Sequence, residues 1–424
     1  MSSRARGTLS RKILLDYFLA ASTPRERWLV GMELEKMGRR TSDGRALPYD
    51  GASPSVRDVL QSMRELRGGD PVLEAERLIG VEGSWGAISL EPGGQVEWSS
   101  PAVADLDALE SGLARHLEAL DAIGRELGIR WLDVGVDPEL PLETMPWMPK
   151  ARYAIMRPFL GARGRLAHRM MTQTASIQCA FDYSDADDWT RKFRAAALLT
   201  PTAVALFANS PRMEGRDTGY ASFRQQIWRE TDPARCGLPS IVFDPGFGPE
   251  AWLDWVLDVP TMFVRRARGY VPLDGLPFRG LLERDGCSPV KLEDWEAHIS
   301  TVFTEVRSYN YIEVRSADLQ PDDLALAVPA FWTGILYHGD ALAAALELGR
   351  PLGTYASWSE ALAVASREGL ARQSIADLAA EAVAISMHGL RHGAACAGAG
   401  GAAVRALERL AERRRLAEKR TSRC

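Results

Sequence analysis

The sequence predicts an α+β fold built on a mostly antiparallel sheet, with helices packed on one of its faces. Three observations predict it. Short alternating runs, the signature of strands, are interleaved irregularly with runs of helical period. Two of the short runs flank Pro92-Gly93-Gly94, a turn tight enough for a hairpin and so for antiparallel pairing. Neither Gly-x-Gly-x-x-Gly nor Gly-x-x-x-x-Gly-Lys-Ser/Thr occurs, so a Rossmann site and a P-loop have no support.

Taken in order, residues 10–21 read as a helix and 30–35 as an alternating strand. Residues 53–67 are helical, and 87–99 form the hairpin. Leu106, Leu109, Leu113, Leu117, Leu120, Ile123 and Leu127 recur in steps of three and four, which gives a helix one buried face. Residues 129–136 follow as a strand, ended by Asp137-Pro138. Residues 174–182 are strand-like, and 187–207 are helical with a kink or break expected at Pro201. The segment 252–263 is helical in its first part, and 309–315 alternates as a strand. Beyond Asp322 the chain is nearly all helix-forming. Gly398 to Gly401 is at most a hinge before a charged tail helix, 404–424, which is expected to be solvated.

Composition narrows the function. With 46% hydrophobic and 25% charged residues over 424 positions, the chain is an ordinary globule and not a disordered polymer. Lys plus Arg is 51 against 56 Asp plus Glu, a net charge of -5 that disfavours a nucleic-acid binder. Five cysteines, an odd number, make no disulfide scaffold, and a reducing cytoplasmic setting is expected. Arg4, Arg6, Arg11 and Lys12 before Ile13-Leu14-Leu15 imitate a signal peptide, but Asp16 interrupts the apolar run. No run reaches the roughly 18–20 apolar residues of a membrane span. The expected partners are small molecules, with no nucleic acid and no membrane, and the chain is expected to be a monomer or homodimer.

The chemistry lies in the strands, where alternate side chains share a face. Val30, Met32 and Leu34 oppose Glu33 and Glu35. Ile88 and Leu90 oppose Ser89 and Glu91, and Val96 and Trp98 oppose Gln95, Glu97 and Ser99. Ile177, Cys179 and Phe181 oppose Gln178, while Ile312 and Val314 oppose Glu313 and Arg315. If the strands share a sheet, one face packs on helices and the other collects Glu33, Glu35, Glu91, Glu97 and Glu313. The pattern also describes a solvent-facing sheet surface. Against that, Glu is a poor strand former and like charges on neighbouring strands repel. A cation relieves the repulsion. Oxygen ligands without His or Cys point to Mg²⁺ or Mn²⁺, and Mg²⁺ with clustered carboxylates usually means a polyphosphate substrate.

Other chemistries have less support. His388 and His392 have i,i+4 spacing but no His-Glu-x-x-His motif surrounds them, and Gly-x-Ser-x-Gly is absent. Cys179 falls on the apolar side of its strand and reads as core. Five acids are more than a glycosidase pair needs.

Several segments are distinctive as strings. They include Gly31-Met32-Glu33-Leu34-Glu35-Lys36 and Ile88-Ser89-Leu90-Glu91-Pro92-Gly93-Gly94-Gln95-Val96-Glu97. Met148-Pro149-Lys150-Ala151-Arg152-Tyr153, Leu206-Phe207-Ala208-Asn209-Ser210-Pro211 and Ile227-Trp228-Arg229-Glu230-Thr231-Asp232 follow in order. Glu305-Val306-Arg307, Tyr311-Ile312-Glu313-Val314-Arg315 and Pro329-Ala330-Phe331-Trp332 complete the set. Together, from about residue 28 to 340, they resemble the glutamate–cysteine ligases of the plant and proteobacterial type.

The resemblance implies a curved, glutamine-synthetase-like catalytic sheet with helices behind it, forming one large catalytic domain over 1–424 with a helical C-terminal region from 341. It implies ATP-dependent coupling of the glutamate γ-carboxylate to the amine of cysteine through γ-glutamyl phosphate. Matching positions make Glu33, Glu35, Glu91, Glu97 and Glu313 the metal candidates. Arg315 and Glu97 are the catalytic candidates, with Arg315 expected to meet the transferring phosphate. Arg224, Arg235, Tyr153 and Gln178 are expected at the substrates, since Arg suits bidentate carboxylate recognition. Lys36 and Arg315 are assigned to nucleotide, although strand alternation puts Lys36 on the Leu34 side. The family strand often has Asn where this chain has Ala180, a departure that bears on which amine is accepted. Relatives of the plant type are associated with disulfide regulation; Cys287 lies near a comparable position but has no evident partner. A different amine acceptor and a catalytically silent relative are the competing readings; retention of all five Glu argues against the silent one.

Overall fold

The computed structural model describes residues 9–266, 269–283, 290–393 and 401–421, with side chains described to residue 414. Arg4, Arg6, Cys287, Gly398 and the side chain of Arg415 lie outside the described residues.

The alternating runs meet in one open sheet. Its strands are β1 (Val30–Arg40), β2 (Asp70–Glu74), β3 (Arg77–Gly83), β4 (Gly86–Leu90), β5 (Val96–Ser99), β6 (Ile129–Leu132), β7 (Ser176–Phe181), β8 (Val306–Ser308) and β9 (Ile312–Asp318). The order is β8-β9-β7-β1-β5-β4-β3-β2, with β6 beside the second half of β1. Every pairing in it is antiparallel among the described residues. β1 is central because it is long: Glu33 to Lys36 pair with β5, Val30 to Leu34 with β7, and Met37 to Arg40 with β6.

One face of the sheet is the core. Val30, Met32, Leu34, Ile88, Leu90, Val96, Trp98, Ile177, Cys179, Phe181, Ile312 and Val314 are all buried. Helices Ala186–Leu206, Ala327–Leu336 and Leu106–Leu127 cover them, packing on β9, on β7 and β1, and on β6 and β1 respectively. Removing this apolar area from water is the dominant favourable term in folding.

Three expectations need correction. Residues 129–136 are strand only to Leu132; Val136 makes an isolated bridge to Thr174. The late strand begins at Ile312, because Tyr309 lies in the turn between β8 and β9. Pro201 does not break its helix, which runs over Ala186–Leu206. A proline deprives the carbonyl four residues earlier of its donor. That carbonyl is Ala197 O, and the buried indole N–H of Trp358 donates to it at 2.8 Å.

The tail helix, Ala402–Thr421, is also not simply solvated. Ala402, Ala403, Ala406, Leu407 and Leu410 are buried against Ala327–Leu336 and Gln373–His392. Arg413 pairs with Asp323 at 2.6 Å, and Arg414 donates to Ala208 O at 3.1 Å. No described helix is long and apolar enough to cross a membrane.

Candidate active site

The other face of the sheet carries the carboxylates, beneath a cavity walled by helices Ala151–Gly161, Ala167–Gln173 and Phe223–Arg229. Glu35 of β1 stands directly opposite Glu97 of β5, and Glu33 opposite Gln178 of β7. Directly opposed strand residues have Cβ atoms about 4.5–5.5 Å apart, close enough for like charges to repel. Glu91 follows β4 and enters the same cavity. The hairpin that delivers it is locked by Gln95, whose side-chain oxygen accepts from Gly93 N at 2.9 Å. The Gln95 amide donates to Thr174 O at 2.8 Å. Gly93 is required there, because a Cβ would lie 2.3 Å from Thr172 O.

Withdrawal from water and mutual repulsion perturb these acids. Burial, then the nearby charge of Glu313, pushes the Glu33 carboxyl up to about 7. Burial, then Glu91, pushes Glu35 up to about 7. Burial raises Glu97 well above the ordinary range, with Glu33, Glu91 and Glu35 adding to it. A cluster that holds protons near neutrality is one that a metal cation can discharge.

Cations line the cavity beside the carboxylates. Arg224, Arg315, Arg307, Arg152 and Lys150 line the same cavity. Arg224 is buried, donates to Arg315 O at 3.1 Å and lies 4.0 Å from Asp318. Asp318 is itself fixed by Asn209 N at 2.8 Å, Ser210 Oγ at 2.7 Å and Ser222 Oγ at 2.9 Å. The Asn209-Ser210-Pro211 string thus supports the site without entering the cavity. The Nε groups of Arg224 and Arg152 are buried without a hydrogen-bond partner, so both guanidiniums retain donor capacity for an incoming anion. Arg315 donates to Gln178 Oε1, whose amide donates to Glu35 Oε1 at 3.1 Å. Gln178 therefore links Arg315 of β9 to Glu35 of β1.

The placements differ from expectation in three ways. Lys36 is on the helix-covered face, paired with Asp133 and Asp322, and does not line the cavity. Strand alternation decides this: Lys36 follows Leu34 by two. Arg235 is buried outside the cavity, bonded to Asp232 at 2.7 Å, Thr301 O at 3.1 Å and Pro260 O at 2.6 Å. It ties three loops together and has no free fork for a substrate. Glu313 is engaged by Arg307 at 2.7 Å, its cross-strand partner, and by Arg315 at 3.1 Å. Burial works against its ionisation, but those two guanidiniums hold its carboxyl below the usual range. Glu313 is therefore held by two arginines and lines a second slot, not the first cavity.

Tyr153 lines the cavity, and its hydroxyl donates to Leu90 O at 2.6 Å. Sequence reasoning missed Arg307, Lys150, Arg152, Trp228, Ser89 and Tyr309. Ser89 was available from alternation, since it faces Glu97 in register. Lys150, Arg152, Trp228 and Arg307 sit inside the distinctive strings, yet none of them has a periodicity that marks it.

A second, less polar slot continues along the sheet and shares Glu33 and Gln178 with the first. Gly31 and Ala180, cross-strand partners, line it with Ser99, Ala102 and Tyr311. Ala180 thus lines the slot and not the first cavity, and its departure bears on what occupies the slot.

Among the described residues no three His, Cys, Asp or Glu side chains converge into a ready-made metal cage. The donors nevertheless fit Mg²⁺ or Mn²⁺. Both are hard cations, and Mg²⁺ usually keeps waters and takes one or two carboxylates together with substrate phosphates. Glu33, Glu35, Glu91 and Glu97 offer such oxygens, and burial and neighbouring acids disfavour the ionised forms of Glu33, Glu35 and Glu97 until a cation offsets their charge.

A family model described as glutamate–cysteine ligase family 2 matches residues 29–420, well past the last distinctive string. Glutamate–cysteine ligase B, chloroplastic, of Oryza sativa subsp. japonica is 39% identical over 339 residues, 79% of this chain and 67% of that protein. The chloroplastic glutamate–cysteine ligase of Arabidopsis thaliana is 38% identical over 344 residues, 80% of this chain and 65% of that protein. In structure, the chain is similar to a glutamate–cysteine ligase from Francisella tularensis crystallised in complex with AMP. The TM-score is 0.53 at 13% identity, over 90% of this chain and 81% of that one.

Proposed function

Since the chain belongs to the glutamate–cysteine ligase family, we propose that it is an ATP-dependent ligase joining the glutamate γ-carboxylate to the amine of cysteine. The observation that carries the reading is one cavity lined by both clustered carboxylates and cations. Glu35 opposes Glu97 across β1 and β5, and the same cavity is lined by Arg152 and Arg224 with buried donors unsatisfied.

The polar cavity suits the amino acids and the adjoining slot suits the nucleoside. The triphosphate then crosses Glu33 and Gln178, which belong to both. Arg152 and Arg224 hold glutamate by its carboxylates. The γ-carboxylate oxygen attacks the γ-phosphorus, ADP leaves, and γ-glutamyl phosphate forms. Arg315 and Arg307, tied to the sheet through Glu313, meet the charge on the transferring phosphoryl group. The amine then attacks the acyl carbon, the bond from that carbon to the phosphate oxygen breaks, and the proton lost by the nitrogen leaves with the phosphate. Glu33, Glu35, Glu91 and Glu97 would hold Mg²⁺, which when bound neutralises the triphosphate and the developing phosphoryl charge. Tyr153, bonded to Leu90 O, fixes one wall beside Glu91.

We read the chain as one catalytic unit acting in the cytoplasm as a monomer or homodimer. The extent of the family match and the packing of the tail helix support the first part. The test is ADP release by purified protein with Mg²⁺, ATP and glutamate across a panel of amines. Release stimulated by cysteine above other amines is expected; stimulation by another amine alone reassigns the acceptor. No release with any amine rejects the ligase reading. Hydroxylamine should trap a hydroxamate from the acyl phosphate.

A further inference from the structure

We propose that Glu74, at the end of β2, is a positioning residue for the cavity segment Lys150-Ala151-Arg152-Tyr153. The proposal rests on the ligase reading above. Helix Ala151–Gly161 starts on Lys150, whose side chain makes no capping hydrogen bond. A helix start leaves its first four N–H groups without intrahelical partners, and a side-chain oxygen at the cap normally takes one. Here the oxygen comes from far away in sequence. Glu74 Oε2 accepts from Ala151 N at 2.7 Å, across 77 positions.

The location gives the contact its meaning. Ala151 sits between Lys150 and Arg152, and those two side chains and Tyr153 all line the cavity. A negative oxygen at the helix start also suits the positive end of the helix dipole. Glu74 is in turn placed by a tight turn. It faces Arg77 in register, with Ala75 and Glu76 between them at φ 48° and 63°. Such left-handed conformations of non-glycine residues persist where the surroundings over-determine them. β2 is the outermost strand of the sheet, so this contact joins the sheet's edge to the wall that would hold glutamate.

The test compares the wild type with Glu74→Ala and Glu74→Gln. In the ADP-release assay, Glu74→Ala should raise KM for glutamate about fivefold, the size of one lost cap. KM for ATP and kcat should stay close to wild type, and Tm should fall by only about 1 °C, the shift one lost cap makes in a chain of this size. Gln keeps a side-chain carbonyl that can accept the Ala151 N–H, so Glu74→Gln should restore the glutamate KM. Amide exchange over residues 151–156 should speed up in the Ala variant and not in the Gln variant. An unchanged glutamate KM in Glu74→Ala overturns the proposal, as does a larger fall in Tm with both KM values rising together. If the wild type releases no ADP with any amine, the ligase reading fails on its own. Exchange then decides about Glu74: faster exchange in Ala alone supports its positioning role, and unchanged exchange overturns it.

Discussion

Glu33, Glu35 and Glu97 show how one residue type serves two ends. In the metal-free protein their carboxyls resist ionisation, because burial and neighbouring acids raise them. A bound divalent cation needs them ionised, so below about 7 it competes with protons at Glu33 and Glu35. Mg²⁺ should therefore raise Tm more at pH 8 than at pH 6; an equal rise at both would contradict the assignment. Glu33→Gln or Glu97→Gln keeps shape and removes charge. Each should lower turnover at least about 100-fold, the scale of a lost electrostatic group at a reacting centre. Circular dichroism and Tm should stay near wild type, and near wild-type turnover in both variants would overturn the carboxylate face. These residues were legible from alternation alone. Glu313 was assigned to the same face by the same rule, but alternation gives a face and not a partner. Its partner Arg307 stands on β8, a three-residue strand too short to show a period.

Elements were read well where periodicity was long and poorly where a distant group compensates for a local defect. Leu106–Leu127 follows its leucine spacing and is closed by Gly128 at φ 72°. The helix Ala186–Leu206 passes through Pro201 because Trp358, on another helix, satisfies Ala197 O. Nothing near Pro201 in the sequence announces that donor. Trp358→Phe should leave the carbonyl buried and unpaired, costing about 1–3 kcal/mol in urea unfolding. Pro201→Ala restores a main-chain donor, so the same Trp358 change should cost less in that background. Equal costs in the two backgrounds would show that the indole does not stand in for the missing amide. The tail helix carries a similar lesson: its charges are evident in the sequence, while its buried stripe from Ala402 to Leu410 needs partners brought from elsewhere.

At the scale of the whole molecule, the α+β class followed from irregular interleaving and one tight turn, but the strand order depends on pairings across more than a hundred residues. Substrate walls are the least legible part, because they come from Ala151–Gly161, Phe223–Arg229 and the loop near Ser300, not from one strand. The core also sets an acid limit. His116 and His298 are buried, and burial pushes each ring down to about 3. An unfolded histidine titrates near 6.5, so below that pH the unfolded chain binds protons the folded chain refuses. Their contribution is fully present above about 6.5 and is lost as pH falls toward 3. His116 stacks on Trp98 at 4.8 Å with both ring nitrogens unpaired. His116→Phe should thus gain stability relative to wild type as pH drops from 7 to 5; a constant difference would contradict the neutral, buried state.

The central claim is that the acids and cations of one cavity together activate the glutamate γ-carboxylate as an acyl phosphate. It is tested most directly with glutamate carrying ¹⁸O in that carboxylate, together with ATP, Mg²⁺ and cysteine. The account predicts one ¹⁸O in the phosphate released for each amide bond formed. Amide formation with unlabelled phosphate, or no phosphate release with any amine, would contradict it.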